Sequence, residues 1–270
     1  MTATVWTDAA SGCTARAGAS SHTGYFRENN EDRVYLDPDY PFALVLDGMG
    51  GLAAGEIASR NGEEAIAHAL RTGLGVGAEP PGLIEEALRA GNAAVRALGT
   101  FDHPLRNCGT TVVLALWHRA RVYVSWLGDS PAFLVSGGHV KKLTWEHDLR
   151  TALVRHGVIG AAGAHDYRID NVLWRYLGAE ETEEPIEVPS FAPHDGDRLV
   201  LATDGVTGGV PEPLLLEICR AHPDPHVCAE ALVAGALDRG SRDNCTCAVI
   251  AFGDVTDPPH PTRKWWHFWR

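Results

Sequence analysis

The sequence is poor in lysine and has no long apolar run. Only three of its 23 basic residues are lysine, and the net charge is −12. An acidic balance argues against a nucleic-acid binder, because such proteins present a basic face to the phosphate backbone. No run approaches the roughly 18 apolar residues of a membrane-spanning helix, and the first residues lack the charged and apolar regions of a signal peptide. We therefore expect a cytoplasmic protein that binds no nucleic acid.

The six cysteines have no CxxC spacing, which excludes a zinc knuckle and a thioredoxin-like motif. Cys245 and Cys247 lie two apart in a predicted strand, so their side chains share one face. We interpret them as small buried hydrophobic residues in a reducing compartment.

Four aspartates are the most informative residues that the sequence does contain. Asp47, Asp129, Asp204 and Asp243 each end or flank a stretch predicted to be a buried strand. A carboxylate in that position is costly to bury unless a cation or hydrogen bonds compensate its charge. The four positions are far apart in the chain, so they predict one site assembled from the whole sequence. Carboxylate oxygens, with water as the remaining ligand, suit Mg²⁺ or Mn²⁺.

The order of predicted elements indicates an α+β fold in which sheets pack together with helices outside. The 270 residues allow one large domain or two small ones. The predicted strands cover residues 15–20, 33–36, 42–46, 110–117, 122–127, 132–135, 139–143, 188–192, 198–202 and 245–252. The predicted helices cover residues 53–69 and beyond, 83–98, 148–157, 212–221 and 226–238. Residues 1–11 are small and polar, and we expect them to be disordered.

The segment after residue 253 is Pro-rich and then rich in tryptophan, arginine and lysine. We treat residues 254–270 as a tail that is too short to span a membrane. Tryptophan and arginine are favoured at a membrane interface, so peripheral docking is one interpretation. Packing on this domain or on a partner protein is the other, and the sequence does not separate the two.

Short polar and glycine-rich motifs follow one another along nearly the whole chain, from about Cys13 to Phe252. They are RENNED at 27–32, DGMGG at 47–51 with GE at 55–56 and AS at 58–59, GTT at 109–111, GDS at 128–130, Thr144 with His147, LG at 177–178, TDG at 203–205 and DNCT at 243–246. In this order they resemble the bacterial form of the metal-dependent (PPM-type, type 2C) serine/threonine protein phosphatases. The resemblance implies a four-layer α-β-β-α sandwich over residues 12–253, with two central, mostly antiparallel sheets.

The resemblance also implies a binuclear centre of Mn²⁺ or Mg²⁺. Asp47 would bridge the two ions, the Gly48 carbonyl would complete one ligand set, and Asp204 and Asp243 would bind the other ion. Two ions about 3.5–4 Å apart can lower the pKa of a water and orient it for attack on phosphorus. The implied reaction is hydrolysis of phosphoserine and phosphothreonine in proteins.

Further roles follow from the same resemblance. Asp129 matches the position that binds a third ion in many bacterial members, and Glu31 and Asp32 would bind through water. Asn244 would orient Asp243 by hydrogen bonding from outside the ligand set. Arg27 would clamp the substrate, since a guanidinium fork binds two phosphate oxygens at once.

Proton donation to the leaving group is not explained by the motifs. Met49 stands where many eukaryotic members have a histidine, and methionine has no proton to donate. His147 and His165 are candidates by position only, and a structural role is favoured for both.

Three departures from the family pattern concern the surroundings of the site. Pro131 follows GDS where arginine is common, and Glu146 stands where aspartate is common, next to an unusual Trp145. The stretch 158–176, which matches the flap over the active site, is divergent. Substrate choice is therefore open.

Two other classes of function compete with an active phosphatase. A binding or regulatory module with the same fold would have lost a metal-binding aspartate, and none is lost. A metal-dependent nuclease is opposed by the acidic charge. We expect a monomer whose partners are phosphorylated proteins, including substrates of Hanks-type kinases.

Overall fold

The computed structural model describes residues 3–7, 14–50, 54–99, 108–160, 172–180 and 184–253. The described strands are β1 Ala3–Thr7, β2 Thr14–His22, β3 Asp32–Leu36, β4 Phe42–Met49, β5 Gly109–Thr110, β6 Val112–His118, β7 Arg121–Leu127, β8 Ala132–Ser136, β9 His139–Lys142, β10 Ser190–Phe191, β11 Arg198–Ala202 and β12 Cys245–Phe252. The described helices are α1 Ala54–Gly75, α2 Pro80–Leu98, α3 Leu149–Arg155, α4 Asp204–Thr207, α5 Glu212–Ala221 and α6 Pro225–Asp238. Among these helices, none is long and apolar enough to cross a membrane.

Two antiparallel sheets form the centre of the molecule. The first has the strand order β1-β2-β12-β11-β8-β9 and the second β10-β7-β6-β4-β3, with β5 paired to β4. The alternation of side chains along β4 shows how the layers form. Ala43 and Val45 pack between the sheets, whereas Phe42, Leu44 and Leu46 pack against α1 and α2. A third core joins the first sheet to α5 and α6, which confirms the α-β-β-α arrangement.

The helix boundaries follow local sequence signals. Helix α6 begins at Pro225, whose missing N–H is not needed in the first turn. The Asp224 carboxylate caps it by accepting hydrogen bonds from the backbone N–H groups of His226 and Val227. Helix α3 is capped in the same way by Asp148, which accepts from the N–H of Thr151. These caps orient the helices that flank the sheets.

The prediction of disorder over residues 1–11 is wrong for residues 3–7, which form strand β1. β1 pairs antiparallel with β2 at the edge of the first sheet. Trp6 is buried, and its indole N–H donates to the Asp37 carbonyl at 2.8 Å. Burial of one large aromatic side chain outweighs the polar character of its neighbours. The predicted strand 42–46 also continues to Met49, because β5 pairs with its last two residues.

Two predicted segments lie partly or wholly outside the described residues. The predicted flap 158–176 is described only at 158–160 and 172–176, and His165 falls in its undescribed part. The predicted tail 254–270 is wholly outside.

Candidate active site

The ends of several core strands bring the acidic residues to one place. Asp47 lies near the end of β4, and Asp32 stands opposite it at the start of β3. Asp204 follows β11, Asp243 precedes β12 and Asp129 follows β7. The carboxylates of Asp32, Asp204, Asp129 and Asp243 all interact electrostatically with that of Asp47. The structure therefore brings together the four strand-end aspartates, and Asp32, which the resemblance links to the site through water, lies with them.

Burial and mutual repulsion make these groups reluctant to ionise. Burial raises the pKa of Asp47 well above its usual range, and the neighbouring carboxylates raise it further. Burial also raises the pKa of Asp32 to about 7 and that of Asp129 to about 6, and it raises the pKa of Asp204. Such shifts are typical of groups that a cation would neutralise.

Few groups of the chain itself compensate the charge of these carboxylates. Thr203 Oγ1 donates to Asp32 Oδ2 at 3.0 Å. Arg27 Nη2 donates to Asp243 Oδ2 at 2.7 Å, and both side chains are partly exposed. One guanidinium at the rim leaves most of the negative charge unmatched.

Glycines allow the acidic elements to approach one another. A Cβ on Gly48 would lie 2.2 Å from the Gly55 carbonyl oxygen and 2.6 Å from that of Glu31. A Cβ on Gly205 would lie 1.9 Å from the Asn244 carbonyl oxygen. Any side chain at these positions would push the elements apart, so glycine is needed for the cluster to form.

Asn244 organises the loop that carries Arg27 and Glu31. Its side-chain Nδ2 donates to the carbonyl oxygens of Thr23 and Asn29 at 2.7 and 2.9 Å, and its Oδ1 accepts from the Glu31 N–H at 2.9 Å. The hydrogen bond that it makes to Asp243 comes from its backbone N–H, at 2.8 Å from Oδ1. Its side chain therefore positions the loop, and only its main chain orients the aspartate.

Three hydroxyl groups belong to the same network although the sequence suggested no role for them. The backbone N–H of Asp47 donates to Thr111 Oγ1 at 3.0 Å, and Thr111 is hydrogen-bonded to Ser130 Oγ at 2.6 Å. Thr203 holds Asp32 in the way described above. All three lie in the GTT, GDS and TDG motifs. The motifs therefore contained these residues, but the sequence did not indicate that their hydroxyl groups hold the acidic side chains.

His147 has a structural environment. It is buried, its Nδ1 accepts from the Gly128 N–H at 3.1 Å, and its ring stacks on Trp126. Burial, reinforced by the charges of Arg175 and Arg155, lowers the pKa of His147 to about 3. A ring that stays neutral at pH 7 keeps only its weakly acidic N–H, which is a poor proton donor to a leaving group, so its packing role is the better interpretation.

Glu146 and Trp145, which depart from the family pattern, both have side-chain partners. Lys142 forms an ion pair with Glu146, and the Trp145 indole N–H donates to Glu187 Oε2 at 2.9 Å. A cavity of about 730 Å³ opens beside these residues. Its lining comprises Trp126, Lys141, Lys142, Leu143, Trp145, Arg155, Glu187, Val188 and Pro189. None of the aspartates contributes to it, so cavity volume does not locate the acidic site.

The donor set fits hard divalent cations that keep part of their water. All the candidate ligands are oxygen atoms, which Mg²⁺ and Mn²⁺ prefer. Over the described ranges, no three His, Cys, Asp or Glu side chains come close enough together to hold a metal ion by themselves. Mg²⁺ usually binds through one or two carboxylates and several waters, so an open arrangement is expected.

Known protein phosphatases are similar to this chain over most of its length. A family model described as protein phosphatase 2C matches residues 27–224. The serine/threonine protein phosphatase PstP of Mycobacterium tuberculosis is 32% identical over 247 residues, which are 90% of this chain and 45% of that protein. The serine/threonine phosphatase stp of Listeria innocua is 30% identical over 234 residues, which are 84% of this chain and 92% of that protein.

A solved structure supports the same relationship in three dimensions. The catalytic domain of PstP in complex with two manganese ions has a TM-score of 0.75 and 31% identity, covering 89% of this chain and 99% of that one. The chain thus spans less than half of the full mycobacterial protein but nearly all of its catalytic domain.

Proposed function

The chain belongs to the protein phosphatase 2C family, and on that premise we propose that it is a metal-dependent hydrolase of phosphoserine and phosphothreonine in proteins. The observation that carries the proposal is the convergence of Asp47, Asp32, Asp129, Asp204 and Asp243 with too little positive charge to match them. A phosphate monoester is itself anionic, so only cations make such a site usable for it.

The residues divide into a set that would hold two ions and a set that would hold a third. Asp47 and the Gly48 carbonyl belong to the first set, together with Asp204 and Asp243. Asp129 would hold the third ion, and Glu31 and Asp32 would contribute through water. Mn²⁺ is favoured because two manganese ions are bound in the PstP structure. When bound, the ions supply an acidified water and neutralise charge on the phosphoryl group.

The chain's own contribution is to bind and orient the substrate. Arg27 lies at the rim of the cluster, and its guanidinium already reaches a carboxylate oxygen there. An anionic phosphoryl group beside Asp243 would therefore be within its reach. Asn244 fixes the loop on which Arg27 stands, so the clamp is held before the substrate arrives.

Several expectations from the sequence stay predictions. The substrates would be phosphorylated proteins, including those of Hanks-type kinases, and the phosphatase domain would comprise residues 12–253 of a monomer in the cytoplasm. Residues 254–270 would dock at a membrane interface or on a protein. If the full chain associates with anionic liposomes and the association is lost when residues 264–270 are deleted, docking at a membrane is favoured over docking on a protein.

The central test is hydrolysis of a phosphothreonine peptide with Mn²⁺. We expect turnover by the wild type and loss of turnover in Asp47→Asn and Asp204→Asn. Asp238→Asn is the control, because Asp238 is an exposed residue at the end of α6. A wild type that is inactive with every divalent metal and several phosphopeptides would reject the proposal and favour a regulatory module.

The clamp is tested by Arg27→Ala. We expect a raised KM for phosphopeptides with metal binding retained, because the side chain acts on the substrate and not on the ions. Arg60→Ala is a matched control, since both arginine side chains are 48% exposed and both pair with a carboxylate that is 37% exposed. An unchanged KM in Arg27→Ala would remove the clamp role.

A further inference from the structure

Two neighbouring aromatic side chains are exposed directly beside Arg27. Tyr25 is 70% and Phe26 59% exposed. The other large hydrophobic residues exposed in the described ranges are all valines, at positions 5, 76, 158, 172 and 227. Single apolar residues on a surface are ordinary, whereas an adjacent aromatic pair at the rim of a site is typical of a contact surface.

Both rings are held in place by side chains of the same region. The Tyr25 ring meets the His22 ring edge to face, with centroids 5.6 Å apart. The Arg242 guanidinium lies 5.0 Å from the centroid of the Phe26 ring. Each ring thus has one contact that restricts its rotamers, which reduces the entropy that it would lose when a ligand binds.

The backbone of the loop is fixed as well. Gly24 has a φ of +81°, and a Cβ there would lie 2.4 Å from the Asp243 carbonyl oxygen. Its N–H donates to His22 Nδ1 at 2.8 Å. The loop therefore packs tightly against the segment that carries Arg242 and Asp243. This packing fixes the backbone next to Tyr25 and Phe26.

We infer that Tyr25 and Phe26 form a contact surface for the residues that flank the phosphorylated side chain, and that they favour substrates with an apolar or aromatic neighbour. This inference rests on the proposed function. Arg27 is the next residue in the chain and its guanidinium reaches the acidic cluster. Consecutive Cα atoms lie about 3.8 Å apart, so Tyr25 and Phe26 stand within two residues of the proposed clamp. Residues that flank a phosphoryl group held by Arg27 would therefore lie near the loop that carries the two rings.

The cation on the Phe26 ring favours an apolar neighbour over a basic one. The Arg242 guanidinium already lies against this ring, whereas the charge of Arg27 is paired with Asp243. A lysine or arginine in the peptide would meet the like charge of Arg242 when it covers the Phe26 ring. An apolar side chain would gain from covering the exposed rings, because burial of apolar surface is favourable.

The experiment compares three phosphothreonine peptides that differ only in the residues on both sides of the phosphothreonine, which are leucine, serine or lysine. The value of kcat/KM with Mn²⁺ is measured for the wild type, for Tyr25→Ala, Phe26→Ala and the double variant, and for Val76→Ala. Val76 is the control, because it is 82% exposed and lies in the turn after α1, outside the loop.

We expect the wild type and Val76→Ala to favour the leucine peptide over the serine peptide by roughly tenfold. The ratio should fall towards one in the double variant and part of the way in each single variant. Because each ratio is taken on one enzyme preparation, it does not depend on the fraction of folded protein.

The possible failures are distinguishable. Equal kcat/KM for all peptides, a preference for the lysine peptide, or a leucine preference that persists in the double variant would each overturn the contact surface and leave the phosphatase proposal standing. Hydrolysis of none of the peptides by the wild type would overturn both.

Discussion

Two aspartates at the ends of neighbouring strands have opposite environments. Asp37 follows β3, is fully buried, and accepts hydrogen bonds from the backbone N–H groups of Asp39 and Tyr40 at 2.9 and 2.8 Å. The Tyr35 hydroxyl donates to it at 3.0 Å and Arg71 Nε at 2.6 Å. Its charge is matched by donors and a cation, so it stabilises the fold and has no need of a ligand.

Asp47, near the end of β4, lacks that compensation. The charges that act most strongly on it are those of four other carboxylates, and each raises its pKa. The Asp37 pKa is also raised by burial, but backbone hydrogen bonds from Tyr40 and Asp39 oppose the rise. Burial of an acid is therefore not what marks the site; the imbalance between buried charge and available partners marks it.

The largest expected effect separates the two aspartates by activity. Asp47→Asn should lower kcat/KM on a phosphothreonine peptide by more than about 100-fold, which is the upper range for groups that only support a metal ligand. Asp37→Asn should keep activity within about threefold in the folded fraction, because its partners are structural. Similar losses in both variants would break the distinction.

The same substitutions should have opposite effects on stability without metal. Asp37→Asn should lower the free energy of unfolding by about 1.5–3 kcal/mol, because charge-assisted bonds to Arg71 and to the backbone are weakened. Asp47→Asn should raise it at pH 8, because a repelled buried carboxylate becomes a neutral amide. Urea unfolding in the presence of a chelator measures both, and a loss of stability in Asp47→Asn would contradict the account.

The pH dependence follows from the pKa of Asp32, which burial raises to about 7. Its unfolded value is about 3.9, so the folded state binds more protons and stability falls as pH rises through about 7. His147 acts in the opposite direction, mainly below about pH 6.5, and its contribution fades above that pH as the unfolded imidazole loses its proton. Between pH 6.5 and 8 the melting temperature of the metal-free protein should therefore decrease.

Two additions sharpen this measurement. Asp32→Asn should flatten the decrease, since the amide has no proton to lose. Mn²⁺ at pH 8 should raise the melting temperature by binding only the folded state. A melting temperature of the metal-free wild type that rises from pH 6.5 to 8 would contradict the assignment of uncompensated acids.

Asp129→Asn should have the smallest effect of the site variants, at most about tenfold in kcat/KM, the lower range for supporting groups. Asp129 is proposed to hold only an additional ion, so the two-ion centre does not depend on it. Turnover across a range of Mn²⁺ concentrations checks this. A loss equal to that of Asp47→Asn would place Asp129 in the essential set.

Most elements were predictable because their apolar periodicity is strong. The strands at 198–202 and 245–252 are apolar apart from Arg198 and Thr246 and are buried on both faces, and their predicted bounds match the structure. Strand β1 was missed because a single tryptophan carries its burial. Asp37 follows β3 as Asp47 follows the core of β4, yet the pattern of apolar runs does not reveal that Arg71 lies beside only one of them.

The order of the motifs, the strand-end positions of the aspartates and the glycines that let them converge can all be identified in the amino-acid sequence. Each of these depends on local chemistry and spacing, which are written in the chain. Three features become visible only in the folded chain: which buried carboxylates are compensated, how the Asn244 side chain holds the Arg27 loop, and the exposure of Tyr25 and Phe26 next to Arg27. These depend on contacts between residues up to 221 positions apart, and a one-dimensional pattern does not specify such pairings.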